Sequence, residues 1–544
     1  MVSHARGRKR GSKTPLPDRR PGPRKVTTAL PFLIRSHDGW KSMSMPMSFW
    51  SFSRLRNAAI ITLLCGSAGL AFAGSATWLQ APATGNWNTP ANWNPATVPN
   101  GPSDVATFSV SNQTNVSVTS SITLNSIVFQ ADASAFTIST SSEFASVLIN
   151  GAGVINNSAL AQNFSINAAG NDQGALDFAG SASAGNAIYS QGGGAARNSF
   201  GGTTSFFNTS TAERATFFAD GGAVSGAAGG GVLFFDSATA GNATFTINPG
   251  MVIGATGGHV EFANTSTAGR ATLFANGGLN AAGGTVFFLD DSRGGQASVV
   301  LQGNGTLDLS LHNSPGVTLN SVQGDGLVAL GSSRLTVQPM KKVPFSGVIS
   351  GPGSLTMSGK GGYDLTTANT YTGGTVVRDG TLFVDNTIGS ATGPGAVRVD
   401  SGALGGTGTI AGAVTVGSNT PGNGSFLVPG ESITHPGTIT LQSSLTFASD
   451  GFFNVGLARG LAISQVVANG VTIQSGAQFA FFNNRGVNAP VGTVFTLINN
   501  TAATPIAGVF DNLLDGLIFT DHGNTFEVDY EGGDGNDLTL TSIP

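Results

Sequence analysis

Apolar residues in this chain come in short runs of four or five, such as ATFFA, VLFFD, ATFTI, TVFFL and ASVVL. Gly, Asn, Asp or Ser breaks them every five to eight residues. Runs this short, rich in β-branched and aromatic residues and bounded by turn formers, predict strands. A helical array would need amphipathic stretches of about ten residues rich in Leu, Ala, Glu and Lys. These segments hold almost no Lys or Glu and carry Gly pairs throughout.

The strands recur in register. Phe178, Phe206, Phe234, Phe262 and Phe288 are spaced 28, 28, 28 and 26 residues apart, and nine residues after each stands an alanine, Ala187, Ala215, Ala243, Ala271 and Ala297. A sustained period of this length marks one supersecondary unit stacking on the next. With equivalent strands about 4.8 Å apart, each Phe lies over the next in an interior stack. The competing arrangement is a set of small sheets with independent cores. Seven residues before each alanine stand Gly180, Asn208, Asp236, Asn264 and Asp290, types that tolerate left-handed backbone, so a turn ladder is expected. In it Asp236 and Asp290, separated by Asn264, would lie roughly 10 Å apart, which spares the ladder direct charge repulsion.

Composition agrees with an extended repetitive β protein: 79 Gly and only 10% charged residues in 544. Charge is uneven, with 13 of the 25 Lys and Arg in residues 1–56 beside only Asp18 and Asp38. Arg54 and Arg56 precede AAIITLLCGSAGLAFA, which ends in Ala71-Phe72-Ala73, the form of a secretory signal cleaved after Ala73. The run is short and Gly/Ser-rich for a membrane span. Met43, Met45 and Met47 lie just upstream, so residues 1–46 read as a disordered basic leader or an over-extended start, and 47–73 as the signal. Beyond residue 73 the formal charge is −15, which argues against nucleic acid or an anionic membrane as partner. The only cysteine, Cys65, lies in the signal, so the mature chain of 471 residues has no disulfide.

Further motifs extend the picture. Trp78, GNWN at Gly85 to Asn88, NWN at Asn92 to Asn94, and Asp104-Val105-Ala106-Thr107-Phe108 make an aromatic-rich entry. Residues 351–416 hold Gly353-Ser354-Leu355-Thr356-Met357-Ser358-Gly359, Ala368-Asn369-Thr370-Tyr371-Thr372-Gly373-Gly374-Thr375, Asp379-Gly380-Thr381-Leu382 and Leu404-Gly405-Gly406-Thr407-Gly408-Thr409. These pieces, in this order, resemble the autotransporter-associated β-strand repeat of bacterial secreted proteins. The resemblance implies a parallel β-helix exported through a cleaved signal. No translocator barrel is read in the C-terminal residues, so self-secretion does not follow.

The expected fold is all-β: a single-stranded right-handed parallel β-helix with capping regions. Residues 74–170 are the N-terminal cap and first coils, 171–305 the 28-residue array, 306–430 the segment with the autotransporter-associated repeat, and 431–544 the last coils and cap. At 28 residues per coil the rod would be on the order of 80 Å long.

Catalytic and metal chemistry is thinly supplied. His259, His312, His435 and His522 are scattered and read as surface or turn residues, and His259 and Glu261 share a strand face without a third ligand. Tyr371 reads as a half-buried aromatic with a solvated hydroxyl. Asp290-Asp291 is the one acidic pair in the array, with Arg293 as a salt-bridge partner. Gly532 to Leu540 resembles the calcium-binding nonapeptide, making Asp534 and Asp537 calcium candidates; a Gly-rich turn leading into the last strand is the favoured reading. No cofactor is expected. The function expected is a non-catalytic secreted or surface rod, structural and adhesive, with extracellular glycans or other cell-surface proteins as partners. The alternative is a carbohydrate-active β-helix enzyme, which would show at least three acidic or basic groups converging in a groove.

Overall fold

The computed structural model describes residues 31–36, 39–44 and 74–544, apart from 141–144, 169–173, 421, 423 and 484–486. The chain separates into two units, residues 1–71 and 72–544. In the first, Pro31–Ser36 and Gly39–Ser44 pair as an antiparallel hairpin. The cleavage site at Ala73 and the apolar run before it lie outside the described residues.

The second unit is a parallel β-solenoid. Its first face runs from Ala76–Trp78 to Val348–Ser350, its second from Asn115–Val118 to Gln478–Asn483, and its third from Val317–Leu319 to Val471–Ile473. In the array, register places each repeated residue on its copy one coil away: Phe178, Phe206, Phe234, Phe262 and Phe288 are successive partners. All five are fully buried. Their rings stack at centroid distances of 4.9, 4.6, 4.9 and 4.9 Å with interplanar angles of 6–17°. Burying each ring contributes roughly 1.5–3 kcal/mol, and each ring pair a further 0.5–1.5 kcal/mol.

A second aromatic column, not expected from the sequence, rises beside the first. Phe164, Tyr189, Phe217 and Phe245 stack at 4.9 Å along the second face. The columns meet edge to face, as at Phe206–Phe217 (5.9 Å, 78°) and Phe234–Phe245 (6.0 Å, 80°). Ala187, Ala215, Ala243, Ala271 and Ala297, all fully buried, fill the corner where a larger residue would push the columns apart.

Here the third face shrinks to single bridges joining Ser183, Thr211, Thr239, Thr267 and Arg293. A Gly-rich loop such as 220–230 returns the chain to the first face, and these loops bond to one another through Ala223 N–H to Gly194 O (2.9 Å) and Met251 N–H to Gly222 O (3.0 Å). Gly229 has to be glycine because a Cβ there would collide with the carbonyl of Gly257 one coil on. Trp78, Trp87 and Trp93 close the amino end over Phe108, with centroids 4.9–6.0 Å apart. At the carboxyl end Val494–Asn500, Asp537–Ile543, Asn524–Gly532 and Ile518–Asp521 pair antiparallel and so stop the coil. Among the described residues no helix is long and apolar enough to cross a membrane.

Candidate functional site

The flank of the array is built by the turn ladder. Asn208, Asp236, Asn264 and Asp290 have φ of +52 to +57°, and each accepts through its side chain a bond from the backbone one coil below. Gly180 N–H donates to Asn208 Oδ1 (3.0 Å), Asn208 N–H to Asp236 Oδ2 (2.8 Å), Asp236 N–H to Asn264 Oδ1 (3.1 Å) and Asn264 N–H to Asp290 Oδ2 (2.9 Å). The ladder is therefore a hydrogen-bonded chain rather than a row of spaced charges. Its left-handed backbone turns each N–H towards the next side chain, which is why Asn and Asp serve where alanine would not.

Several sequence expectations are corrected. Tyr371 is fully buried and its hydroxyl lies 2.6 Å from Thr375 Oγ1, because the coil closes over it. His312 closes the turn that starts at Leu309, as expected, but it is buried rather than on the surface, its ring nitrogens 2.5 Å from Asn313 O and 2.6 Å from Ser292 O. Among the described residues no ion pair joins Arg293 to Asp290 or Asp291; the Asp291 carboxylate accepts from Asn313 Nδ2 (3.1 Å) instead. His259 and Glu261 do lie on the same side of their strand, opposite buried Val260 and Phe262, but no third ligand joins them among the described residues.

The nonapeptide-like stretch is a hairpin turn between antiparallel strands, Gly532 pairing with Asp537. Asp534 is exposed. Asp537 is buried and its Oδ1 accepts the N–H of Asn500 (2.9 Å). The stacked parallel turns that would supply calcium ligands together are thus missing around Asp534 and Asp537. Nearby, Asp515, Asp529 and Glu531 bring carboxylate oxygens within 4.8 Å of one another. Two of these acids already hold turns, with Asp515 Oδ1 accepting from Tyr530 N–H and Asp529 Oδ1 from Glu531 N–H.

The densest chemistry lies on the outer side of the second face, around the strands Gly362–Leu365 and Thr381–Val384. Tyr363 and Leu365 point inward, which puts Asp364 outside, directly across from Phe383. Lys342 Nζ reaches Asp364 Oδ2 at 3.2 Å and Glu431 Oε1 at 3.4 Å, and sits 4.2 Å from the centroid of the Phe383 ring. Asp385 stands beside Asp364 and accepts at Oδ1 from the N–H of Thr407 (2.9 Å). Glu431 comes from 89 residues away, on an excursion in which Ser425–Ser432 turns back to pair with His435–Pro436. The same excursion sets Ser432 Oγ 3.2 Å from His435 Nδ1.

Electrostatics follow from this crowding. Burial, then the neighbouring Asp385 charge, holds the Asp364 carboxyl above the usual carboxylate range despite Lys342. Partial burial pulls the Lys342 ammonium down, but its bonds to Asp364 and Glu431 outweigh that and leave it above its ordinary value. The cluster escaped the sequence reading because Lys342, Asp364 and Asp385 are 22 and 21 residues apart while the coils on this face advance 20 and then 19, so each stands two positions diagonally from the one before rather than in register.

Comparison with known proteins yields partial similarities. Over 110 residues, 20% of this chain and 3% of the relative, it is 42% identical to the Adhesin BmaC autotransporter of Brucella suis biovar 1. Over 164 residues, 30% of this chain and 14% of the relative, it is 30% identical to the Extracellular serine protease of Serratia marcescens. The chain thus spans 14% or less of the length of these curated relatives. No family model matches the chain, and no solved structure matches it. These similarities relate it to autotransporter-type proteins.

Proposed function

We propose that this chain is a secreted or cell-surface β-solenoid, freed of its leader after Ala73, with a non-catalytic structural and adhesive role. The observation that carries the reading is the pair of ring columns, from Phe178 to Phe288 and from Phe164 to Phe245: they stiffen the coils they span while the flanks repeat the same Asn, Asp, Ser and Thr groups coil after coil. Similarity to an adhesin and to an extracellular protease, as their names describe them, supports placement outside the cell. Its partners on this reading are extracellular glycans or other cell-surface proteins.

The test is retention of beads coated with residues 74–544 on cell monolayers before and after enzymatic removal of surface glycans. Several-fold retention that falls on deglycosylation is expected. Beads that wash off as readily as albumin-coated ones would remove the adhesive role. A carbohydrate-active enzyme is the second reading, favoured by the convergence of Lys342, Asp364, Asp385 and Glu431.

A further inference from the structure

We propose that the outer surface around Phe383 is a saccharide-binding site, formed by the Phe383 ring with Asp364, Asp385, Glu431 and Lys342. The proposal rests on the adhesive reading above and says where the rod grips and what.

Phe383 is an outward aromatic bordered by glycines in both neighbouring coils. Gly405 pairs with it directly, and a Cβ on Gly362 would come 2.9 Å from the ring edge. Bare backbone at Gly405 on one side, and diagonally at Gly362 beside Asp364 on the other, leaves an apolar patch one ring wide, the size of the C–H face of a pyranose. Around it stand groups of mixed hydrogen-bonding sense. Asp364 is only 7% exposed, yet its Oδ1 meets no donor; the group beside it is the Asp385 carboxyl. The carboxyl oxygens accept from sugar hydroxyls, and the Lys342 ammonium donates to them, so the group offers both senses. Glu431, two-thirds exposed on the excursion, adds an acceptor at the rim. Lys342, held between Asp364 and Glu431 and over the ring, adds N–H donors, and stacking of a sugar on Phe383 requires the ammonium to move aside.

Charge selects within the class. Three carboxyl groups facing one ammonium leave the cluster acidic, which disfavours phosphate, sulfate and uronate. A metal ion would have to compete with the ammonium already lodged between Asp364 and Glu431. A hydroxyl-rich ring without anionic substituents fits best.

Calorimetric titration of the folded chain with cellohexaose, mannohexaose, chitohexaose and hexagalacturonate tests this, comparing wild type with Phe383→Ala, Asp364→Asn and the distant exposed Phe482→Ala. Binding of at least one neutral hexasaccharide, weakened tenfold or more by Phe383→Ala and by Asp364→Asn but not by Phe482→Ala, is expected, with hexagalacturonate unbound. Matching circular dichroism and melting temperatures establish that the variants fold. Equal binding by all four chains would overturn the site and leave the adhesive reading standing. No binding by wild type would overturn the proposal, while the bead assay decides separately on adhesion. Release of reducing ends that disappears in Asp364→Asn would overturn it in favour of the carbohydrate-active reading.

Discussion

The array at 175–301 and the coils at 306–416 solve the same packing problem differently. In the array each coil of 28 residues, 26 in the last, copies the one before, so Phe sits on Phe and Ala on Ala, and Asn alternates with Asp. From Gly180 to Asn264 each ladder N–H is satisfied by the equivalent residue one coil on. In the later coils the period drops to about 17–22 residues and the long Gly-rich return loop disappears. The third bridge widens into a full sheet, and the stack becomes aliphatic, as in Val337, Met357, Val377, Val399 and Val416. Copies no longer neutralise one another there. Lys342, Asp364 and Asp385 are different residues on successive coils, and the excursion adds Glu431. Exact repetition builds stiffness, and broken repetition leaves charges free to meet and form a site.

The sharpest way to break the comparison is to open the ring column. Phe234→Ala, in its middle, should cost about 3–5 kcal/mol, against roughly 1.5 kcal/mol for Val399→Ala in the aliphatic stack. Denaturant unfolding followed by hydrogen exchange should show opening confined to the neighbouring coils. A uniform loss of protection along the rod would mean that coils do not depend mainly on their neighbours.

A smaller effect, of about 1.5–3 kcal/mol, is expected at Asp450, a carboxylate hydrogen-bonded by Ser418 N–H (2.8 Å), Asn419 N–H (2.8 Å) and Thr420 N–H (3.2 Å). Burial works against its ionisation, but these bonds prevail and hold its acidity below the ordinary carboxylate value. Its stabilisation is present above the unfolded value near ~3.9 and is lost as pH falls through the lower folded value. Asp450→Asn should lower stability at pH 7 and flatten that acid limb. Asp364, shifted the other way, should show the opposite sign, since its ionisation costs stability at neutral pH and acidification relieves it. Melting curves from pH 3 to 8 of wild type, Asp450→Asn and Asp364→Asn separate the two, and identical pH profiles for both variants would refute the assignment.

The smallest change tests the ladder. Asn264→Ala loses the side-chain bonds to both neighbouring coils and replaces a residue type that tolerates φ +55° with one that does not, for a cost of about 1–2 kcal/mol, while Asn264→Gly should cost less because the backbone term vanishes. Equal losses in thermal melts would show that backbone strain contributes nothing at this position.

Much of this was legible in the residues. The Phe spacing and the strand-sized apolar runs lead directly to stacked parallel coils, and Asn208, Asp236, Asn264 and Asp290 announce left-handed turns. The second column was harder to see because Tyr189, Phe217, Phe245, Leu273 and Val299 change identity along it. Tyr371 and His312 misled because their burial comes from the coil's closure, which residue type alone does not reveal.

What the sequence determined by itself was the period, and with it the strand class, the direction of stacking and the dry interior, because a repeated residue one coil away meets its copy whatever the exact shape of the coil. Only the tertiary structure decided which charges share a surface. Lys342 meets Glu431 across 89 residues because coils change length and an excursion folds back. Distances of that kind are set by the accumulated register of several coils, and no local pattern encodes them.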